Sequence, residues 1–166
     1  NRVRKISEDD EIRTKARKAI TYIKEYGDYI TAWKVSGPYT EKDLENEALL
    51  DHVFPPEKPD ARNVKWRRLK RNPKAKQPWQ IDLGKAIGGK NRAGYLRTSI
   101  WSPRKRQVRM EIGSDDGVKA WLNGEVVHAN NVWRSIEDGE DQVKVKLSKG
   151  WNLNMLKITQ GGGDWG

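Results

Sequence analysis

Several stretches in the second half of the chain alternate apolar and polar residues, and this alternation constrains the fold more than any other feature. In QVRMEI, residues 107–112, every second side chain is apolar, as in a strand with one buried face. VKAWLNGEVVHA, residues 118–129, alternates on both sides of Asn123-Gly124, a dipeptide typical of two-residue hairpin turns. Short strands joined by turns at this spacing predict an antiparallel β-sandwich.

The remaining elements follow from the same patterns. Residues 1–27 predict an amphipathic helix, with Ser7 as its N-cap, Gly27 as its stop and an apolar stripe that includes Ile12. Further strands are predicted at residues 29–39, 64–69, 79–83, 92–102, 142–148 and 151–160, with a helical turn within 44–50. We therefore predict a mainly β fold: an antiparallel, jelly-roll-like β-sandwich over residues 28–166, preceded by one amphipathic helix.

Positive charge is concentrated in one part of the chain. The net charge is +10, and residues 61–110 contain sixteen Lys or Arg against one acid, Asp82, a net of +15. Such a field attracts polyanions, whether nucleic acid, acidic polysaccharide, an anionic surface or an acidic protein; a solvated surface is the alternative. The chain has no Cys, which excludes disulfides and thiolate metal sites. No apolar run is long enough to predict a membrane span.

Two blocks carry a resemblance to a known family. SDDGVKAWLNGEVVHANN (114–131) and KGWNLNMLKITQGGGDWG (149–166), with WKVSGPY, VFPPEKPDA and VKW before them, resemble galactose-binding-domain-like modules of the carbohydrate-binding-module or PA14-like type. The resemblance covers residues 29–166. It implies a β-sandwich binding module without catalysis of its own, in a larger, exported bacterial protein with other domains.

The two ends of the chain add two expectations. The chain begins with Asn1 and shows no signal-peptide pattern, so we expect a piece of a longer precursor. Modules of the resembled type continue past the glycine-rich turn into a last strand. We therefore expect an open sheet edge, and self-association through it or its coverage by another chain or by the N-terminal helix.

Asp115 and Asp116 are the candidate metal ligands or ligand contacts. The hairpin brings its outer ends together, so Asn130 and Asn131 are expected beside them. Calcium takes oxygen ligands, and the PA14-like resemblance implies an Asp-Asp pair that binds calcium and reaches sugar hydroxyls. Alternatively, the carboxylates accept backbone N–H bonds in the turn before the hairpin and need no metal, which is the interpretation we prefer. No other cofactor is expected.

Aromatic and basic side chains are the other candidate ligand contacts. The chain has eight Trp, whose flat faces can bind sugar rings. Trp133, beside Arg134 in a polar loop, and Trp165, in the glycine-rich end, are the candidates for an exposed platform. The tryptophans expected in the core are Trp33, Trp66, Trp79 and Trp151. The basic candidates for an anionic ligand are Arg67, Arg68, Lys70 and Arg71.

The predicted function is a non-catalytic accessory module that binds carbohydrate, with an acidic or sulfated glycan favoured. No Cys nucleophile or GxSxG motif is present, and neither His52 nor His128 has an acid at a telling spacing. A second interpretation is a structural module that joins protein chains through its sheet edge, helix stripe or basic face. A third is non-specific binding of nucleic acid, since basic residues surround Trp66 but no base-reading motif accompanies them.

Overall fold

Strands are the main secondary structure of the chain. The computed structural model describes residues 2–27, 29–70, 77 and 79–166. Within these residues the strands are β1 (Lys34–Tyr39), β2 (Arg67–Arg68), β3 (Arg92–Ser102), β4 (Arg106–Ile112), β5 (Val118–Leu122), β6 (Glu125–Asn130), β7 (Asp141–Leu147) and β8 (Gly150–Gln160). The helices are α1 (Arg2–Tyr26), α2 (Asn46–Asp51) and α3 (Leu83–Ile87), with a 3₁₀ turn at Pro55–Glu57.

The strands form two sheets in which all neighbouring strands run antiparallel. The larger sheet has the order β2-β1-β3-β8-β5-β6, and the smaller sheet consists of β4 and β7. At the centre of the larger sheet, β3 and β8 pair without interruption from Arg92–Gln160 to Ser102–Gly150. The two sheets pack face to face, so the fold class predicted from the sequence, an antiparallel β-sandwich preceded by a helix, is confirmed.

Alternate side chains of both sheets meet in a core between them. We call the side of the larger sheet that faces β4 and β7 its inner face, and the opposite side its outer face. The core residues are Leu96, Val118, Ala120, Leu122, Leu156 and Ile158 from the inner face, and Ile112, Val145 and Leu147 from the smaller sheet. Each square ångström of apolar surface removed from water contributes about 25 cal/mol, so this alternation is the main reason why the strands pair in this register.

The outer face of the larger sheet is covered over only part of its length. Residues 41–60, which contain α2, pack Leu49 and Phe54 against Tyr95 and Trp121 of the sheet. Trp121 alternates in sequence with the inward-facing Ala120 and Leu122, which predicts that it packs on the other side, and the structure places it here, buried. Towards the ends of β3 and β8 near Ser102 and Gly150, the described residues leave the outer face open.

A buried lysine fastens this covering segment to the sheet. The Lys157 ammonium, on β8, donates hydrogen bonds to the carbonyls of Leu50 (2.9 Å) and His52 (2.6 Å), and to the Glu57 carboxylate (2.9 Å). Tyr95 donates its hydroxyl to the same carboxylate. Burial lowers the pKa of Lys157, against the opposing effect of Glu57. Burial, followed by the bond to Glu57, raises the pKa of Tyr95. A charge this deep is stable only with such a full set of partners.

The N-terminal helix differs from the expectation in its start and in its packing. It begins at Arg2, so the predicted cap at Ser7 is wrong. Side chains 9–21 are all exposed, and Ile12 of the apolar stripe is 64% exposed. In the part that the structure describes, the stripe therefore does not pack on the sandwich. No helix of this part is both long and apolar enough to cross a bilayer.

Three of the predicted strands are shorter or absent. β1 begins at Lys34 rather than at residue 29, and β2 comprises only Arg67 and Arg68. The strand predicted at 79–83 is wrong, because the Asp82 carboxylate accepts the N–H of Lys85 at 2.7 Å and caps α3. A side-chain oxygen that accepts an N–H of the first turn stabilises the start of a helix, and here the helix forms in place of the strand that the apolar alternation predicts.

Candidate functional site

The β5–β6 hairpin brings together the two segments predicted to form a site, at Asp115 and Asp116 and at Asn130 and Asn131. β5 and β6 pair from Leu122–Glu125 at the turn to Val118–Asn130 at the open end. Asp115 and Asp116 precede Val118, so they lie beside Asn130, as predicted. The peptide bond between the two aspartates is cis.

The Asp116 carboxylate joins three loops through backbone donors. One oxygen accepts the N–H of Arg134 and the other accepts the N–H of Gly161, each at 3.1 Å. The N–H of Asp116 donates to the carbonyl of Thr159 at 2.9 Å, and Ser114 donates its hydroxyl to the Asp116 carbonyl at 2.7 Å. The donors come from distant loops rather than from the turn itself. Asp116 therefore holds the loop after β6 and the end of β8 together.

Arg134 and Asp141 complete this network. The Arg134 guanidinium donates to the carbonyl (3.0 Å) and the hydroxyl (2.6 Å) of Ser114, and to the Asp141 carboxylate. Asp141 also accepts from the amide of Asn130 at 2.8 Å, and the ring of His128 lies 3.2 Å from it. Although burial acts in the opposite direction, the bonds from Arg134 and Asn130 lower the pKa of Asp141. Two of the predicted ligand contacts, Asn130 and Arg134, thus bind within the fold.

Asp115 is the member of the pair whose ionised form is disfavoured. Its N–H donates to the carbonyl of Gly166 at 2.8 Å. Burial, together with the negative charges of Asp116 and Asp164, raises its pKa to about 6. Among the described residues no group of three or more His, Cys, Asp or Glu side chains could hold a metal ion, and both Asp116 oxygens already accept backbone N–H groups. Calcium at Asp115 and Asp116 stays a prediction.

The loop residues Asn131 and Trp133 bind the covering segment. Asn131 donates its amide to the carbonyl of Glu47 at 2.9 Å, and Trp133 donates its indole N–H to the Glu47 carboxylate at 3.1 Å. The Trp133 ring lies directly on Gly161, where a Cβ would be only 2.2 Å from a ring atom. The ring is nevertheless 56% exposed, so Trp133 anchors α2 and still shows part of its surface to solvent.

Trp165 is not an exposed platform, and that prediction is wrong. Its side chain is 4% exposed and its ring packs against Gly94, where a Cβ would lie 3.0 Å from it. Its carbonyl accepts the N–H groups of Leu83 (2.8 Å) and Gly84 (3.3 Å) at the start of α3. The glycine-rich stretch before it lets the chain turn back under the sandwich, so the indole fills the core instead of facing solvent.

The basic candidates divide between the two faces of the larger sheet. Arg67 donates a hydrogen bond to the carbonyl of Ala86 in α3, so its side chain lies on the inner face of the larger sheet. Arg68 pairs with Lys34 across β2 and β1, which places both side chains on the outer face. Lys70 is exposed. Arg71, the fourth candidate, lies outside the described residues.

The open part of the outer face carries a tryptophan pair that the sequence analysis missed. Trp101 of β3 and Trp151 of β8 are directly opposite in register, with ring centroids 5.4 Å apart and planes at 64°. Their side chains are 54% and 70% exposed, and Leu153 beside them is also exposed. The core position predicted for Trp151 is wrong. The signal was present, because Trp101 follows the inward-facing Ile100 and must therefore face outward.

A row of cations crosses the same outer face, two same-face positions along β3 from Trp101. Lys34 is opposite Arg97 of β3 on one side and Arg68 of β2 on the other. The guanidinium carbon of Arg97 lies 4.2 Å from the ring centroid of Trp66, a cation–π arrangement that fixes its position. Burial lowers the pKa of Arg97. We call Lys34, Arg68, Arg97, Trp101, Trp151 and Leu153 the outer-face platform.

Comparison with known proteins finds partial structural likeness. No protein-family model matches the chain, and no curated protein matches it. Among solved structures, a Bacteroides fragilis protein described as a β-galactosidase shows 13% identity and a TM-score of 0.43, over 78% of this chain and 18% of its own. An uncultured Clostridium sp. β-glucuronidase shows 11% identity and a TM-score of 0.39, over 76% and 20%. A Faecalibacterium prausnitzii β-glucuronidase shows 10% and 0.36, over 76% and 20%. The chain thus spans about a fifth of the length of these structures, and no family membership follows from matches at this level.

Proposed function

We propose that this domain is a non-catalytic binding module for a carbohydrate that carries carboxylate or sulfate groups, and that the ligand lies on the outer-face platform. One observation carries the proposal. Trp101 and Trp151 stand side by side on an open sheet face, each more than half exposed. Trp is usually well buried because of its large apolar surface, so two neighbouring exposed indoles mark a surface suited to a partner.

The tryptophans supply affinity by removing apolar surface from water. The C–H face of a sugar ring can cover part of each indole, and a covered area of about 100 Å² contributes about 2.5 kcal/mol. Leu153, next to Trp151 on the same face, extends the apolar surface along β8. The platform therefore offers room for more than one sugar ring along the direction of the strands.

The cations supply the preference for an anionic ligand. Arg68, Lys34 and Arg97 follow one another across three strands. Arg binds carboxylate or sulfate through two parallel hydrogen bonds, and the Trp66 ring holds the Arg97 guanidinium in place. The surplus of positive charge in residues 61–110 favours the approach of a polyanion and makes binding salt-dependent.

The wider context of the module is part of the same proposal. Three of the buried ionisable side chains, Lys157, Glu57 and Asp141, are bound within the fold, and the absence of catalysis is part of the proposal. Export and attachment to other domains come from the sequence resemblance. Calcium at Asp115 and Asp116 is a proposal of lower rank, because the Asp116 oxygens already have donors.

A titration with four probes tests the proposal. The probes are a polyuronate oligosaccharide, a heparin fragment, a neutral oligosaccharide of equal length and single-stranded DNA. Tryptophan fluorescence and calorimetry at low and at physiological salt report binding. We expect an anionic glycan to bind best, and Trp151→Ala or Trp101→Ala to weaken it at least about tenfold, since 1.4 kcal/mol corresponds to a factor of ten.

Trp133→Ala is the matched control, because Trp133 is similarly exposed but lies on Gly161, beyond the opposite end of β8 from Trp151. It should leave glycan affinity unchanged in a folded protein, as judged by circular dichroism. Equal affinity for the glycan in Trp151→Ala and in wild type would remove the platform from the function. Tighter binding of DNA than of any glycan would favour the nucleic-acid interpretation instead.

A further inference from the structure

The sandwich has an unfilled space between its sheets. Beside β4 lies a cleft of about 920 Å³. Its floor includes the inward-facing Leu96 and Ile100 of β3, and its roof includes Val108 and Met110 of β4. Ile100, Val108 and Met110 remain only partly buried although they face the core. Covering inward-facing apolar side chains removes them from water and stabilises the protein. A ligand in the cleft could therefore bury more of the apolar surface of these side chains.

The free edge of β4 borders this cleft. β4 pairs with β7 over all seven of its residues, from Arg106 to Ile112. Within the ranges that the structure describes, no strand pairs with the other edge of β4. Alternate N–H and C=O groups of an antiparallel strand point away from its partner, so this edge offers a row of backbone donors and acceptors. Such an edge is a template for another strand.

The charges on the outer side of the smaller sheet indicate which charged residues an added strand would carry. Arg109 of β4 lies directly opposite Lys144 of β7, and like charges at such positions destabilise a sheet. Lys146 adds a third positive charge on this side, and Glu111, at 2.7 Å from Arg109, supplies the one acid on it. Arg106 lines the cleft, together with the acids Glu111 and Asp138. A strand added at this edge would lie beside Gln107, Arg109 and Glu111, with Lys144 and Lys146 one strand further away. Acidic residues on its outward side, opposite Arg109 and Gln107, would compensate the net positive charge of this side of the sheet.

We propose that the β4 edge and the cleft bind an extended segment of another polypeptide, with apolar residues at alternate positions and acidic residues between them. The segment would pair with β4 as a third strand of the smaller sheet. Its apolar side chains would enter the cleft over Leu96 and Ile100, and its acids would face Arg109. This is the recognition mode in which main-chain bonds give affinity and alternate side chains give specificity. A second copy of this domain is a poorer fit, because its β4 would bring its own larger sheet into the same space.

A synthetic peptide of seven residues, the length of β4, with Val and Glu in alternation, is the probe. Amide hydrogen exchange of the whole chain reports where it binds. At saturating peptide we expect exchange in residues 106–112 to slow at least about tenfold, since the exposed N–H groups of the edge become bonded. A peptide with Lys in place of Glu should bind at least about tenfold more weakly at low salt.

Filling the cleft provides the matched variants. Val108→Phe should abolish peptide binding and keep the melting temperature, since it occupies the space that the peptide would use. Val126→Phe, on the outer face, is the control and should bind the peptide as wild type does. If Val108→Phe does not fold, Ile100→Phe fills the same space from the larger sheet. Unchanged binding in a folded cleft variant, equal binding of a scrambled peptide, or protection on the outer face instead of β4 would each overturn the proposal.

Discussion

Replacing Asp115 by Asn separates a network held by the fold from one that needs a metal. Burial and the neighbouring Asp116 charge raise the pKa of Asp115 from 3.8 to about 6. Because the folded-state pKa is raised, the protonated carboxyl stabilises the fold. That contribution is fully present below about pH 4 and is lost as the pH rises through about 6. Asn is neutral at every pH, so the variant escapes this loss.

The size of the effect follows from the same shift. A change from 3.8 to about 6 corresponds to a free energy on the order of 3 kcal/mol, at about 1.4 kcal/mol per pKa unit. We expect Asp115→Asn to exceed wild type in free energy of unfolding by about 1 to 3 kcal/mol at pH 8 and to differ little at pH 4. Asp141, whose pKa is lowered, has the opposite pH dependence but is present in both proteins. Urea unfolding with linear extrapolation measures the difference.

Two results would refute this reasoning. One is an equal difference in stability at both pH values, which would mean that the Asp115 charge is not the cause. The other is a variant less stable than wild type at pH 8, as expected if a cation binds the carboxylate. A calcium titration decides the second case. We expect no change in melting temperature at millimolar calcium, whereas a rise of several degrees that Asp116→Asn abolishes would establish a metal site.

Three further predictions follow from the contacts described. Trp165→Ala should lower the free energy of unfolding by roughly 3 to 5 kcal/mol in denaturant titrations, because it empties a buried position. Lys157→Met should cost a similar roughly 3 to 5 kcal/mol, because it leaves the Glu57 carboxylate buried without its cation; a neutral effect in calorimetry would show that water takes its place. Arg68→Ser should weaken the binding of an anionic glycan severalfold and reduce the salt dependence of its affinity. Arg67 binds the carbonyl of Ala86 instead, so Arg67→Ser should leave the affinity nearly unchanged. Equal losses of affinity in both variants would contradict the division of the basic residues between the two faces.

The fold was predictable from sequence wherever alternation and turn residues agreed. β3 to β8 follow the predicted strands closely, and Asn123-Gly124 forms the predicted hairpin turn. The errors arose where a local signal conflicted with the pattern. At Asp82 a side-chain cap started a helix inside an apparently alternating stretch. Local hydrogen bonds of this kind depend on a few atoms, which periodicity does not record.

Only part of the candidate site could be predicted from the sequence, because the rest depends on contacts between distant segments. Hairpin register alone brings Asp116 and Asn130 to one end, but register does not say which distant loop donates to Asp116. The exposure of a tryptophan depends equally on what covers it. Trp151 is open because the covering segment ends before it, and Trp165 is buried because the chain turns back beneath Gly94. Both outcomes are set by contacts between segments far apart in sequence.

The position of Lys157 on β8 determines how far the covering segment extends along the outer face of the larger sheet. Side chains on one face of a strand recur every second residue, about 7 Å apart. Lys157 therefore lies three such steps from Trp151 on the same face, and the segment that it grips stops short of the tryptophans. A lysine two residues nearer, at position 155, would place its side chain about 7 Å closer to Trp151 on the same face. The position of this one lysine along β8 therefore sets how much of the outer face the covering segment leaves open.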